Sequence, residues 1–249
     1  MTGPGPGVLD IPANPPGLLR PPPAEAWELT RAGVTPALEP WVQWHWQVVW
    51  DLREHGPHTQ ATVGHPSAHL VVEDGGAWLW GPRRRRWERT LRGTGRALGT
   101  RLRPGAVRVL LGAPAGSIVD RRVDAGSVTG LDAAALVAAV EATDDAAGGA
   151  RAVEAALGPL LPGEPDPAMR LADDAVRILA EDRTLARADA LAARLGLSVR
   201  SLHRLFAEHV GLGPGQVIRR FRLQAAAARA LSGEWVDWSA LAFELGYAD

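Results

Sequence analysis

Hydrophobic and polar positions follow two different periods along this chain. Between about Trp27 and Val123 they alternate. In "WVQWHWQVVW" (41–50), Val42, Trp44, Trp46, Val48 and Trp50 fall on one face of an extended strand. "HLVVEDGGAWLW" (69–80) predicts two strands around an Asp-Gly-Gly turn. "ALGTRLRPGAVRVLLG" (97–112) predicts two more, broken at Pro104-Gly105. Short strands at this spacing imply a barrel or a sandwich.

The period then changes. "LDAAALVAAVEAT" (131–143) and "ARAVEAALGPLL" (150–161) are Ala/Leu-rich and predict a helical pair. "PGEPDP" (162–167) reads as a linker, and from Ala168 onward the pattern is helical with Gly-marked breaks. The expected division is a flexible Pro/Gly-rich tail over 1–26, a β-rich domain with C-terminal helices over 27–161, the linker, and an all-α domain over 168–249. The fold class is therefore α+β.

One unit occurs twice. "ALAARLG" (190–196) and "ALAFELG" (240–246) align without a gap at an offset of 50. In the first copy a short helix over 188–195 ends at Gly196, where a left-handed backbone is inexpensive for glycine. Ser198 is a good N-cap for a second helix over about 199–210, and Leu197 with Leu202 has the spacing of a hydrophobic staple. Helix, tight turn, helix is the helix-turn-helix.

The second helix has a definite polarity. At about 100° per residue, Leu202, Leu205, Phe206 and Val210 fall on one side. Arg200, Arg204 and Ala207 fall opposite, with His203 and Glu208 at the flanks. Arginine forks near a helix N-terminus suit guanine edges and phosphates in a major groove.

Charge sharpens this picture. The whole chain has a net charge of -1. Yet residues 183–231 hold nine arginines against Asp189 and Glu208 alone. A basic stretch in a near-neutral chain is a phosphate-facing surface in the making. All 27 basic residues are Arg, which looks like a coding bias and raises the background rate of Arg clusters. Cys is absent, which removes disulfides, thiolate nucleophiles and Cys-ligated zinc.

"LAARLGLSVRSLHRLFAEHVGLGPGQVIRRFRLQAAAARAL" resembles the first half of an AraC/XylS-type DNA-binding domain. The shared features are the LA…LG turn, the S-x-x-x-L-x-R-x-F helix, and G-x-x-P opening a long helix that contains Arg222-Leu223. "WSALAFELGYAD" resembles the start of that family's second helix-turn-helix. The resemblance implies two units joined by one rigid helix, reading successive major-groove segments of double-stranded DNA. Carried over by position, the base-reading candidates are Arg200, His203 and Arg204; Ser198, Ser201, Arg219 and Arg220 complete the expected DNA-binding set. Two departures stand out: Trp238 replaces a smaller aliphatic residue, and the second reading helix is expected to lie beyond the sequence given.

Residues 41–112 resemble the N-terminal domain of a group of actinobacterial AraC-type regulators, through "WHWQVVWDLRE", "HPSAHLVVEDG" and "GTRLRPGAV". That resemblance implies a cupin-like β-barrel that senses a small-molecule effector or mediates homodimerisation, with RNA polymerase as a further partner. Eight of the ten Trp lie in 27–87; they either pack a small core or line a pocket for a flat ligand. Trp44, Trp46, His45 and His69 are the ligand-binding candidates. His65, His69 and Glu73 recur every four residues, but on a strand that spacing spans about 13 Å, too far for one ion. "RRRR" (83–86) reads as a solvated loop. "GTGRALG" (93–99) lacks the strand-then-helix setting of a dinucleotide site.

No nucleophile elbow, Walker loop, metalloprotease helix or paired-carboxylate motif occurs, so no enzyme activity and no cofactor are expected. No apolar run reaches the ~18 residues of a membrane span, and no secretory signal opens the chain; a cytoplasmic protein is the expectation. The alternative is a cupin-type small-molecule or metal-binding protein or enzyme with a degenerate helical domain.

Overall fold

The computed structural model describes residues 8–9, 18, 22–182, 184–231 and 235–244. A short strand β1 (Val8–Leu9) pairs antiparallel with β2 (Trp27–Ala32). Leu18 is buried and bridges Thr62. Two pieces of the segment expected as a flexible tail therefore join the β-domain, Val8-Leu9 as an edge strand and Leu18 as a buried side chain.

The strands β3 (Val42–Asp51), β4 (His58–Thr62), β5 (His69–Glu73), β6 (Gly76–Trp80), β7 (Trp87–Leu91), β8 (Thr94–Leu102) and β9 (Arg122–Asp124) complete the β-domain. Seven strands form one sheet in the order β1-β2-β3-β8-β5-β6-β9, and β4 pairs with β7 separately. β5 and β6 are a hairpin whose turn residues Asp74 and Gly75 both have positive φ, at 51° and 69°.

Register decides which side chains share a face. Trp44 pairs with Arg101, Arg101 with His69, and His69 with Trp80. Arg31 pairs with Trp46, and Trp27 with Trp50. Six tryptophans (Trp27, Trp44, Trp46, Trp50, Trp78 and Trp80) thus lie on one face. The Trp46 and Trp50 rings lie over β8. A Cβ at Gly99 would overlap the Trp46 ring, and one at Gly95 the Trp50 ring.

The opposite face is apolar and covered. Leu70, Val72, Leu79 and Leu98 point into a core closed by helices α3 (Ala133–Glu141) and α4 (Ala146–Leu157), through Leu136, Val140, Val153 and Leu157. Before these helices come α1 (Ala106–Leu111) and α2 (Ala125–Thr129). The segment 106–111 corrects an expectation, since it is a helix and not a second strand. Gly105, with φ 93°, turns the chain after β8, and Ala106, Val107 and Leu110 then bury one helical side. A six-residue apolar run does not distinguish the two periods by itself.

The C-terminal half is helical: α5 (Pro167–Glu181), α6 (Ala188–Arg194), α7 (Val199–His209), α8 (Pro214–Leu231) and α9 (Trp238–Glu244). α5 begins inside the segment read as a linker, with the Asp166 carboxylate accepting from the Met169 amide at 2.7 Å. Leu179, Leu191, Leu202, Phe206, Val217 and Phe221 form its core. The two cores interlock: Met169 of α5 belongs to the β-domain core, and Val119 belongs to the helical one.

Candidate nucleic-acid interface and effector face

The turn between α6 and α7 is built from local chemistry. Gly196 takes φ 66°, and the Leu197 amide reaches back to the Ala192 carbonyl at 2.9 Å. Ser198 then caps α7. Its Oγ accepts from the Ser201 amide at 3.1 Å and lies 2.9 Å from the Ser201 hydroxyl. The cap fixes where α7 starts, and that fixes which side chains face out.

Leu202 and Phe206 are fully buried, while Arg200, His203, Arg204 and Ala207 are exposed. Three exposed arginines on or next to α5 and α6 are neutralised. Arg177 pairs with Asp174, Arg187 with Asp189 and Arg194 with Asp182, each at 2.7 Å. Arg200, His203 and Arg204 carry no ion pair among the described residues. The face therefore presents net positive charge and donors that are not already engaged.

The far end of α7 is anchored. The His209 carbonyl accepts from the Gly105 amide at 2.7 Å, and Glu208 pairs with Arg108 at 3.3 Å. Burial, with Arg108 nearby, lowers the His209 pKa.

α6 and α9 are both seven residues long, and their bounds differ by the offset of the sequence repeat. Asp237 caps α9 by accepting from the Ala240 amide at 2.9 Å. The Gly246 turn and Tyr247 of the second unit lie outside the described residues. α8 joins the two units with 18 residues, roughly 27 Å of helix.

Two arginines expected to face DNA part company on α8. Arg219 is exposed. Arg220 is buried and donates to the Gly64 carbonyl at 2.7 Å and to the Arg83 carbonyl. Its neighbour Gln224 donates to the Val63 carbonyl at 2.8 Å, and the His65 ring meets Phe221 edge-on at 4.9 Å. Arg220 therefore departs from the expectation: it holds the helical domain to the β-domain. The turn of α8 that carries it packs inward on the 63–65 loop, a tertiary fact that periodicity does not carry.

The four effector candidates also separate. Trp44, Trp46 and His69 share the tryptophan face, where the Trp46 indole donates to His69 Nδ1 at 3.1 Å. Trp donates only, so that nitrogen carries no proton. Burial, together with the Arg101 charge, pushes the His69 pKa down to about 3. His45 departs from the group. Strand alternation turns it to the helix side, where it is fully buried between Thr100 at 2.8 Å and Glu154 at 3.2 Å. Burial opposes the Glu154 charge, but the bonds from His45 and Thr35 outweigh it and hold the carboxyl below its ordinary range. Arg31 and Arg101 also lie on the tryptophan face, and the sequence did not single them out, because alternation gives the face of each strand but not which strands pair.

Among the described residues no group of three His, Asp or Glu side chains comes together to hold a metal ion, and no helix is long and apolar enough to cross a membrane. The "RRRR" segment lies in the loop before β7, with Arg84 paired to Asp120 at 3.1 Å.

A capped helix-turn-helix that shows an unpaired basic face defines a DNA-binding protein. Comparison with known families agrees: residues 191–249 match a family described as "Helix-turn-helix domain". Residues 34–124 match "Domain of unknown function (DUF6597)". The chain thus carries a helix-turn-helix domain of the AraC type at its C-terminal end, behind an N-terminal domain of unknown function. No curated protein and no solved structure matches it.

Proposed function

We infer that the protein regulates transcription by binding a specific double-stranded DNA site, with α7 in the major groove and the β-domain acting as its effector-sensing module. The observation that carries this reading is the exposed, unpaired trio Arg200, His203 and Arg204 on a helix fixed by the Ser198 cap. Arg200 and Arg204 are one helical turn apart, so both forks reach the same groove floor. Ser201 sits between them. Arg219, exposed on α8, contacts a phosphate in this reading. The roughly 27 Å length of α8 suits two units set along one side of a duplex, whose grooves recur about every 34 Å.

The β-domain is coupled to the reading unit through α8, by Arg220, Gln224 and Phe221 against the 63–65 loop. A ligand on the tryptophan face is thus one loop away from the helix that sets the spacing of the two units.

Selection of bound DNA from a random pool, followed by Arg204→Ala on the selected site, tests the reading. Arg204→Ala should cost about 1–3 kcal/mol and relax base choice at one position. If affinity and base preference stay as in the unsubstituted chain, α7 is not the reading element.

A further inference from the structure

Adjacent strands lie about 4.8 Å apart, so the register converts into a map of the tryptophan face. One row runs Trp44, Arg101, His69, Trp80; the next begins Arg31, Trp46. Both guanidinium groups converge on one ring: Cζ of Arg101 is 4.1 Å and Cζ of Arg31 is 4.8 Å from the Trp44 centroid.

Neither guanidinium has a carboxylate at ion-pair distance among the described residues. Glu73, on the same face, is engaged by Arg89, with Arg122 at 4.0 Å. Asp173, whose charge acts on Arg101, bonds Arg103 at 2.9 Å. Arg101 is only 6% exposed, and its one side-chain bond runs to the Ser67 hydroxyl at 3.4 Å. Burial, and then the Arg31 charge, lower the Arg101 pKa well below its ordinary value. Arg31 Nε is itself buried without a partner.

Two like charges brought to one ring without a carboxylate, one of them buried and the other half-buried, are costly in isolation. An anion offsets that cost, and flat indole walls favour a flat one. We propose that this face binds a small planar organic anion, an aromatic carboxylate, with Arg31 and Arg101 holding the carboxylate beside Trp44 and the neighbouring Trp46 indole flanking the ring. The proposal rests on the reading of the β-domain as a sensor. The site also has a route outward. Ser67, which accepts from Arg101, lies 3.0 Å from the His65 ring, and that ring packs on Phe221 of α8.

Calorimetric titration of the full chain with benzoate, benzamide and acetate tests it. Benzoate should bind, benzamide at least about tenfold more weakly, and acetate more weakly still. Arg101→Met should weaken benzoate about tenfold or more. That variant removes an unpaired buried charge and should melt no earlier than the parent chain; Arg31→Met gives the same readout if it does not fold. No heat from benzoate up to about 10 mM overturns the proposal. So does equal affinity for benzamide, which would mark a neutral flat ligand, and so does unchanged benzoate affinity in Arg101→Met. DNA affinity measured with and without benzoate is a separate arm. If benzoate binds through Arg101 but DNA affinity does not move, the anion site stands and the sensor reading fails.

Discussion

The guanidinium of Arg220 donates to the main-chain carbonyl of Gly64 at 2.7 Å, while Arg219, one residue earlier on the same helix, is exposed. Two adjacent arginines thus do different work. Arg220→Ala should leave the Gly64 and Arg83 carbonyls short of a donor and destabilise the chain by about 1–3 kcal/mol in a denaturant melt. It should leave the salt dependence of DNA binding alone. Arg219→Ala should reduce that salt slope by about one unit with little change in stability. A slope that falls for Arg220→Ala and not for Arg219→Ala reverses the assignment.

Ser198 starts α7, and its hydroxyl is the only side-chain cap on that helix. Ser198→Ala should cost about 0.5–2 kcal/mol, and Ser198→Gly a few tenths. Hydrogen exchange at the Ser201 amide, which Ser198 bonds, should speed up first. Equal protection of that amide in Ser198→Ala and the parent chain would show that the cap is not what defines the helix start.

The reading helix was legible because its signals are local. Gly196, Ser198 and the spacing of Leu202 and Phe206 all act within two turns, so a sequence window contains them. The β-domain was legible only in part. β3 and the β5–β6 hairpin alternate strongly, whereas "HTQAT" in β4 has little apolar pattern, and its edge is closed by β7 from a distance of some thirty residues. The 106–111 helix was hidden because "AVRVLL" satisfies either period until Gly105 and the core choose one. The fate of Arg220 was hidden for the same reason: whether an arginine meets phosphate or a carbonyl is set by which domain lies against its helix.

The contact between Gly99 and Trp46 gives a test of the tryptophan face that does not depend on any ligand. A Cβ at position 99 would run into the indole, which is held by its bond to His69 at 3.1 Å and cannot swing freely. Gly99→Ala should therefore destabilise by about 1–3 kcal/mol, as overpacking does. Gly163→Ala, where an added Cβ meets nothing, should be close to neutral. Matching thermal melts for the two variants would mean that the ring does not lie over β8.

Acidification should weaken the fold before most carboxylates titrate. His69 is pushed down to about 3 from 6.5 by burial and Arg101, and His209 is lowered by burial and Arg108. Folded His69 is neutral in this range and folded His209 takes a proton less readily than usual, whereas both take one near 6.5 when unfolded. As pH falls through that value the unfolded chain binds more protons, so stability is full above about 6.5 and drops as pH decreases. The acids lowered by hydrogen bonds, such as Asp124 and Asp182, contribute only at more acidic pH. The histidine share should therefore dominate between about pH 6.5 and 4.5. In the folded chain His69 keeps its bond from Trp46 throughout this window, because its ring takes a proton only near about 3. Denaturant melts across that window should show stability declining with pH. His69→Gln, whose amide oxygen accepts from Trp46 without titrating, should flatten part of the decline. A parent chain equally stable at both ends of the window rules out the buried neutral histidines as the cause.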